Sequence, residues 1–295
     1  MQPHTNASPK QSTQTHAPRI DAHHHLWHYR AAEFDWIEDN MAALRRDFLA
    51  DELRRELQTA NIDATVAVQA RESLEETRWL IECARSASII RGVVGWAPLG
   101  ADNLPEIIDR FDEAEKLVGL REIVQGKADG YLDQPAFNRG IGHLTSHSLA
   151  YDLLIHEHQL IEATRFVDQH PNQRFVLDHA AKPKISKSEL EPWKTNLHGL
   201  AYRPNVSCKI SGLVTEANWQ HWTLESLRPY LDVCMEAFGP NRLLVGSDWP
   251  VCLLASTYSQ WWDLLTLYFA DFSEHEVQRI FGGNAIDFYR LPAGF

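Results

Sequence analysis

From residue 19 onward, short apolar runs alternate with amphipathic stretches, and no linker or low-complexity block interrupts them. Eight runs read as strands: residues 19–23, 64–68, 89–96, 117–121, 152–155, 174–178, 206–210 and 242–246. The stretches between them carry apolar residues at helical spacing. Leu49, Leu53, Leu57 and Ala60 fall on one stripe, and Leu160, Ala163, Val167 and His170 form another. Apolar strands separated by helices predict parallel pairing through βαβ crossovers. Eight such units predict a closed (β/α)8 barrel of the TIM type rather than an open doubly wound sheet. An open sheet would want a glycine-rich phosphate turn after its first strand, where this chain has histidines. Residues 273–291 read as one or two closing helices, broken at Gly282-Gly283. Residues 1–18 contain no Leu, Ile, Val, Phe or Trp and read as a disordered tail, which leaves 19–295 as a single domain.

The composition narrows the function classes. A chain of 295 residues suits one large barrel and buries roughly three quarters of its unfolded surface. It has 28 Lys and Arg against 40 Asp and Glu, a formal net charge of −12. That balance argues against nucleic acid and against an anionic membrane surface as partners. No apolar run approaches the roughly 18 residues of a membrane span, and the first 18 residues lack the apolar core of a signal peptide. Cys83, Cys208, Cys234 and Cys252 are scattered, with no C-x-x-C pair, so reduced thiols in a cytoplasmic protein are expected.

Polar residues gather at strand ends. On an extended chain His23 and His25 share a face, and two imidazoles there can hold a divalent metal or donate to a polarised carbonyl. Taken alone, the pair is equally compatible with a capping cluster. Asp178-His179 after the sixth strand would, taken alone, read as a loop salt-bridged to Lys182. Asp248, in Ser247-Asp248-Trp249-Pro250 after the eighth, would read as the start of a turn. In a (β/α)8 barrel, however, all C-terminal strand ends open into one mouth, and strands one and eight become neighbours. His23, His25 and Asp248 should therefore be adjacent. Gln69 ends the second strand and, with Trp27 and Trp249, is a candidate for the pocket wall, core packing being the default reading of the tryptophans. Alternation puts His156 on the face of Asp152 and Leu154, although a solvated residue at the start of the next helix is the favoured reading. The same holds more strongly for His158. No G-x-S-x-G elbow, Walker A or dinucleotide glycine motif is present.

D-x-H-x-H at residues 21–25, L-D-H-x-x-K-P at 177–183 and G-S-D-W-P at 246–250 resemble the amidohydrolase superfamily. More narrowly, the chain resembles its sugar-lactonase branch, which includes the L-fuconolactonases, with pyrone-dicarboxylate lactonase a relative. The likeness runs over residues 19–291 and includes segments 151–154, 159–160, 209–217 and 248–254. It implies hydrolysis of a sugar lactone, L-fuconolactone or a related aldonolactone, to the sugar acid, as in L-fucose degradation. Asp248 is expected as general base and acid, with His23, His25 and His179 polarising the carbonyl. Arg121 at the end of the fourth strand could pair with Glu122 or another carboxylate; the resemblance implies that it holds substrate oxygens.

The resemblance also bears on metal. Binuclear members carry a carbamylated Lys ending the fourth strand, where this chain reads Gly119-Leu120-Arg121-Glu122-Ile123. Mononuclear members add a fifth-strand His, for which His156 and His158 are the candidates, and lactonases of this branch commonly lack it. No required cofactor is therefore expected, and at most a single zinc at partial occupancy on His23, His25 and Asp248. Two other classes are carried as alternatives: a mononuclear metal-dependent decarboxylase or deaminase of the same superfamily, and a non-catalytic sugar-binding barrel. A small-molecule sugar lactone is the expected partner, and homo-oligomerisation is left open.

Overall fold

The computed structural model describes residues 17–112 and 116–292. All but the last two residues of the expected disordered tail lie outside the described residues. Eight strands form one parallel sheet in sequential order. They are β1 (Ile20–His24), β2 (Ala64–Val68), β3 (Ile90–Gly95), β4 (Leu117–Ile123), β5 (Ala150–Leu154), β6 (Phe175–Leu177), β7 (Val206–Ile210) and β8 (Leu243–Val245). The chain just past β8 closes the barrel against β1. Asp248 N–H donates to the His23 carbonyl at 2.8 Å, and His25 N–H donates to that of Trp249 at 2.6 Å. The expected (β/α)8 barrel is what the sequence forms.

Strand alternation divides the core. Ile20, Ala22, Val66, Val68, Val94, Val176 and Leu244 pack as an apolar plug inside the barrel, while Leu153, Phe175, Ile210 and their like pack outward against the helices. Leu53 and Leu57 of the helix Ala50–Ala60 are buried in that outer layer; each fully buried leucine contributes about 1.5–3 kcal/mol. Helix starts follow their caps. Ser73 accepts from Glu76 N–H at 3.2 Å ahead of the helix Leu74–Ser86, and Thr257 with Gln260 forms a capping box ahead of Tyr258–Tyr268.

One expectation changes. Gly282-Gly283 does not break the closing helices, because the chain continues through a π-helical turn at Arg279–Gly283 into Asn284–Tyr289. A Cβ on Gly282 would lie 1.9 Å from the Pro18 carbonyl oxygen, so glycine serves a close approach there rather than a stop. The register of β1 on β2 also slips between Asp21 and His24. Asp21 lies at the start of that slip. Its carboxylate takes hydrogen bonds from Ser247 Oγ at 2.6 Å and Tyr258 OH at 2.9 Å, and burial pushes it up to about 6. All four cysteines are free. Among the described residues, no helix is long and apolar enough to cross a membrane.

Candidate active site

Above the apolar plug lies a layer of buried charge, each member carried by a different strand. Lys209 on β7 donates to Asp152 Oδ2 of β5 at 2.5 Å and lies 3.0 Å from Asp178 Oδ1, just past β6. Arg121 on β4 donates to Asp178 Oδ2 at 3.0 Å and to the Gln69 carbonyl. Tyr289 OH reaches Asp152 Oδ2 at 2.8 Å. Burial pushes Asp152 up to about 6 against the pull of Lys209. For Asp178, burial acts in the same direction, but Lys209, His23 and Arg121 outweigh it and hold the carboxyl well below the usual range. Removing one member leaves the others buried and uncompensated, which costs about 3–5 kcal/mol. Lys209→Met is therefore expected to lower unfolding free energy by about that much. Urea unfolding followed by far-UV circular dichroism reads it, and a loss below about 1 kcal/mol would refute the prediction.

On this layer stand the histidines. His23 Nδ1 is 3.4 Å from Asp178 Oδ1 and 3.1 Å from Lys209 Nζ. Its Nε2 points the other way, 3.3 Å from His25 Nε2 and 3.7 Å from Asp248 Oδ1. His25 Nδ1 is 2.8 Å from the Val68 carbonyl. That contact places a proton on Nδ1, and Nε2 faces Asp248 Oδ1 at 3.2 Å. His179 Nδ1 is 2.8 Å from Ser211 Oγ, and its Nε2 lies 4.0 Å from the same Asp248 oxygen. Burial lowers His23 well below the usual imidazole range, helped by Lys209, and lowers His179 to about 4. Burial would raise Asp248, but His179, His25 and His23 prevail and hold it below the carboxylate range. The carboxylate is thus ionised among neutral His23 and His179 at pH 7.

The backbone is strained where these groups sit. Asp248 has φ 57°, and four successive residues, His179 to Lys182, have φ of 52°, 49°, 60° and 52°, a left-handed run that costs non-glycine residues energy. Trp193 Nε1 braces that run by donating to the Ala180 carbonyl at 2.7 Å. Gly212, at φ 64°, lies behind it, where a Cβ would come 2.7 Å from His179 Nδ1 and 3.1 Å from Asp248 Oδ2. Only glycine lets β7's loop pass so close.

A cavity of ≈ 610 Å³ opens over His25, His179, Arg121 and Asp248. The structure thus gathers His23, His25, His179 and Asp248 as expected, with Arg121 at the cavity floor. The Arg121 terminal nitrogens are taken by Asp178 and the Gln69 carbonyl, however, rather than held free. Other candidates stand away from the cavity. Gln69 is fully buried behind Arg121. Trp27 and Trp249 are buried against Phe48, the default core reading. His156 stacks on His158 and is not among the lining residues. Asp178 ion-pairs with Arg121 and Lys209, whereas Lys182 faces Glu216 at 4.0 Å. Sequence reasoning gave no role to Asp152, Lys209, Ser211 or Gly212. A lysine and an aspartate within otherwise apolar strands were the available signal.

Relatives align over almost the whole chain. An L-fucono-1,5-lactonase of Burkholderia multivorans is 39% identical, covering 94% of this chain and 97% of its own. One of Burkholderia ambifaria is 36% identical with the same coverages. A crystal structure of an amidohydrolase from Burkholderia multivorans with bound zinc has 40% identity and a TM-score of 0.90, covering 94% of this chain and 100% of that one. The expectation that no cofactor is required is thereby overturned: a structure this similar holds zinc, and His23, His179 and Asp248 offer ligand atoms within 4.8 Å of one another. The ligand atoms that approach one another include an imidazole after β6, that of His179, rather than His156 or His158 after β5. The amidohydrolase family model matches residues 20–291, and this chain belongs to the amidohydrolase family.

Proposed function

We propose that this chain hydrolyses L-fucono-1,5-lactone to the open sugar acid. The observation that carries the reading is the ionised Asp248 carboxylate, set beside the imidazoles of His23, His25 and His179 at the floor of a ≈ 610 Å³ cavity. The chain is a hydrolase of sugar lactones, and two relatives named for the L-fucono-1,5-lactone favour that stereochemistry.

The donor set fits a single divalent ion. The His23 Nε2, His25 Nε2 and Asp248 Oδ1 atoms are 3.2–3.7 Å apart, close to the roughly 3.3 Å edges of a tetrahedral zinc site. Nδ1 of His25 is engaged by a backbone carbonyl, while those of His23 and His179 face Asp178 and Ser211; such partners fix ligand imidazoles in orientation. His23, His25, His179 and Asp248 would hold the ion, which when bound supplies the Lewis-acid polarisation otherwise expected of the imidazoles.

The proton work falls to Asp248. Its Oδ1 faces the imidazoles, while no described residue donates to Oδ2. As water adds to the lactone carbonyl carbon, the carboxylate takes its proton. When the ring C–O bond breaks, the same proton passes to the departing alkoxide, so one water and one ring bond become a carboxyl and a hydroxyl. Arg121, spent on Asp178 and the Gln69 carbonyl, lends positive charge from beneath. A pH-indicator screen of aldonolactones tests the reading. Acid release should be fastest from L-fucono-1,5-lactone; no release from any aldonolactone would overturn it.

A further inference from the structure

The strongest unassigned feature at the cavity is an aromatic. Among the described residues the exposed large hydrophobics are Trp36, Ile161, Tyr202 and Leu267. Of these, only Trp36 lines the cavity, together with Asp35. The two form the tip of a β-turn, closed by Ile37 N–H donating to the Phe34 carbonyl at 3.1 Å. Both ends of the turn are anchored, since Phe34 and Ile37 are buried.

The indole is held from behind. Trp36 meets Trp27 edge to face, with centroids 5.9 Å apart at 87°, a preferred aromatic geometry. Trp27 is itself buried and fixed by its Nε1–H donating to the Arg46 carbonyl at 2.9 Å. Glu33, one residue ahead of the turn, pairs with Arg71 on the loop after β2, whose guanidinium sits 5.1 Å over the Phe34 ring. The turn is thus braced from two sides. Asp35 makes no hydrogen bond or ion pair with any described residue. A fixed aromatic face beside an unengaged carboxylate suits a ligand with one apolar face and a hydroxylated rim.

We infer that Trp36 and Asp35 form the sugar subsite and set specificity for the ring substituents of the lactone. This rests on the sugar-lactone reading above. In a galacto-configured ring, C3–H, C4–H and C5–H gather on one face near C6. The electron-rich indole face attracts such polarised C–H groups and covers the C6 methyl of a 6-deoxy sugar. The Asp35 carboxylate, an acceptor only, takes hydrogen bonds from hydroxyls on the rim. The scissile carbonyl is then left over Asp248.

Steady-state kinetics of Trp36→Ala and Trp36→Phe test this with L-fucono-1,5-lactone. Trp36→Ala should raise KM at least tenfold with kcat within about threefold of wild type. Trp36→Phe should recover most of the loss, and both should melt within a few degrees of the parent. Saturation-transfer NMR with L-fuconate needs no turnover. It should mark the C6 methyl most strongly in the wild type and lose that signal in Trp36→Ala. Unchanged KM in Trp36→Ala, a fall confined to kcat, or methyl saturation that survives the substitution would overturn the subsite. A wild type that opens no sugar lactone at all would instead overturn the functional reading on which it rests.

Discussion

Stripping the purified protein with a strong chelator is expected to lower lactone hydrolysis at least a hundredfold, and one equivalent of Zn²⁺ per chain is expected to restore it. Four donors converge: Asp248 Oδ1 lies 3.2, 3.7 and 4.0 Å from the Nε2 atoms of His25, His23 and His179. Without a cation, the 3.3 Å approach of two imidazole Nε2 atoms would require one of them to carry a proton. A shared cation resolves that contact, and imidazole with carboxylate is a donor set zinc accepts. Lewis-acid polarisation contributes several kcal/mol, and about 4 kcal/mol corresponds to roughly a thousandfold in rate. The hundredfold figure is therefore the lower edge. Metal content by plasma mass spectrometry and initial rates would be followed on the same samples. Full activity at less than a twentieth of an equivalent of metal would defeat the prediction.

The barrel was legible because its signal is redundant. Each apolar run is flanked by helical periodicity, and eight repeats leave little freedom in topology. Residues at strand ends were also legible, since closure brings all C-terminal ends to one mouth. What could not be read was orientation within a strand or loop. Period-two alternation put His23 and His25 on one face but gave no place to Asp21, which lies beside a slip in register between Asp21 and His24 and binds Ser247 and Tyr258. A bulge leaves no mark in the hydrophobic pattern of so short a strand. His156 and His158, the fifth-strand candidates for a further imidazole, are not among the cavity-lining residues, in keeping with their favoured solvated reading, whereas the left-handed run from His179 to Lys182 carries the expected sixth-strand histidine to Asp248. Trp27 and Trp249 drew attention because they adjoin the motifs. Trp36 is the tryptophan in the cavity, at the tip of a turn whose path the sequence does not specify. The ion-pair layer depends on partners from four strands, and only the packed barrel brings Lys209 to Asp152 and Asp178.

Asp248→Asn is expected to reduce kcat by about three to four orders of magnitude while leaving the fold intact, near the upper end of what a positioned general base contributes. The substitution is unusually clean here. Asp248 has φ 57°, a left-handed conformation that asparagine, alone with aspartate and glycine, adopts readily. Alanine would add backbone strain to the loss of chemistry and confuse the two. The backbone hydrogen bonds from Asp248 N–H to the His23 carbonyl and from Cys252 N–H to the Asp248 carbonyl, at 2.8 and 3.0 Å, do not involve the side chain. Barrel closure should therefore survive, with a melting temperature within a few degrees of the parent. An amide differs from the carboxylate in two ways. It cannot take a proton from water at neutral pH, and it no longer balances a cation. Assay at saturating Zn²⁺, with metal content measured alongside, separates them: rescue of occupancy without rescue of kcat assigns the loss to the missing base. If kcat at full occupancy stays within tenfold of wild type, Asp248 serves as a ligand alone and the proton must be taken elsewhere.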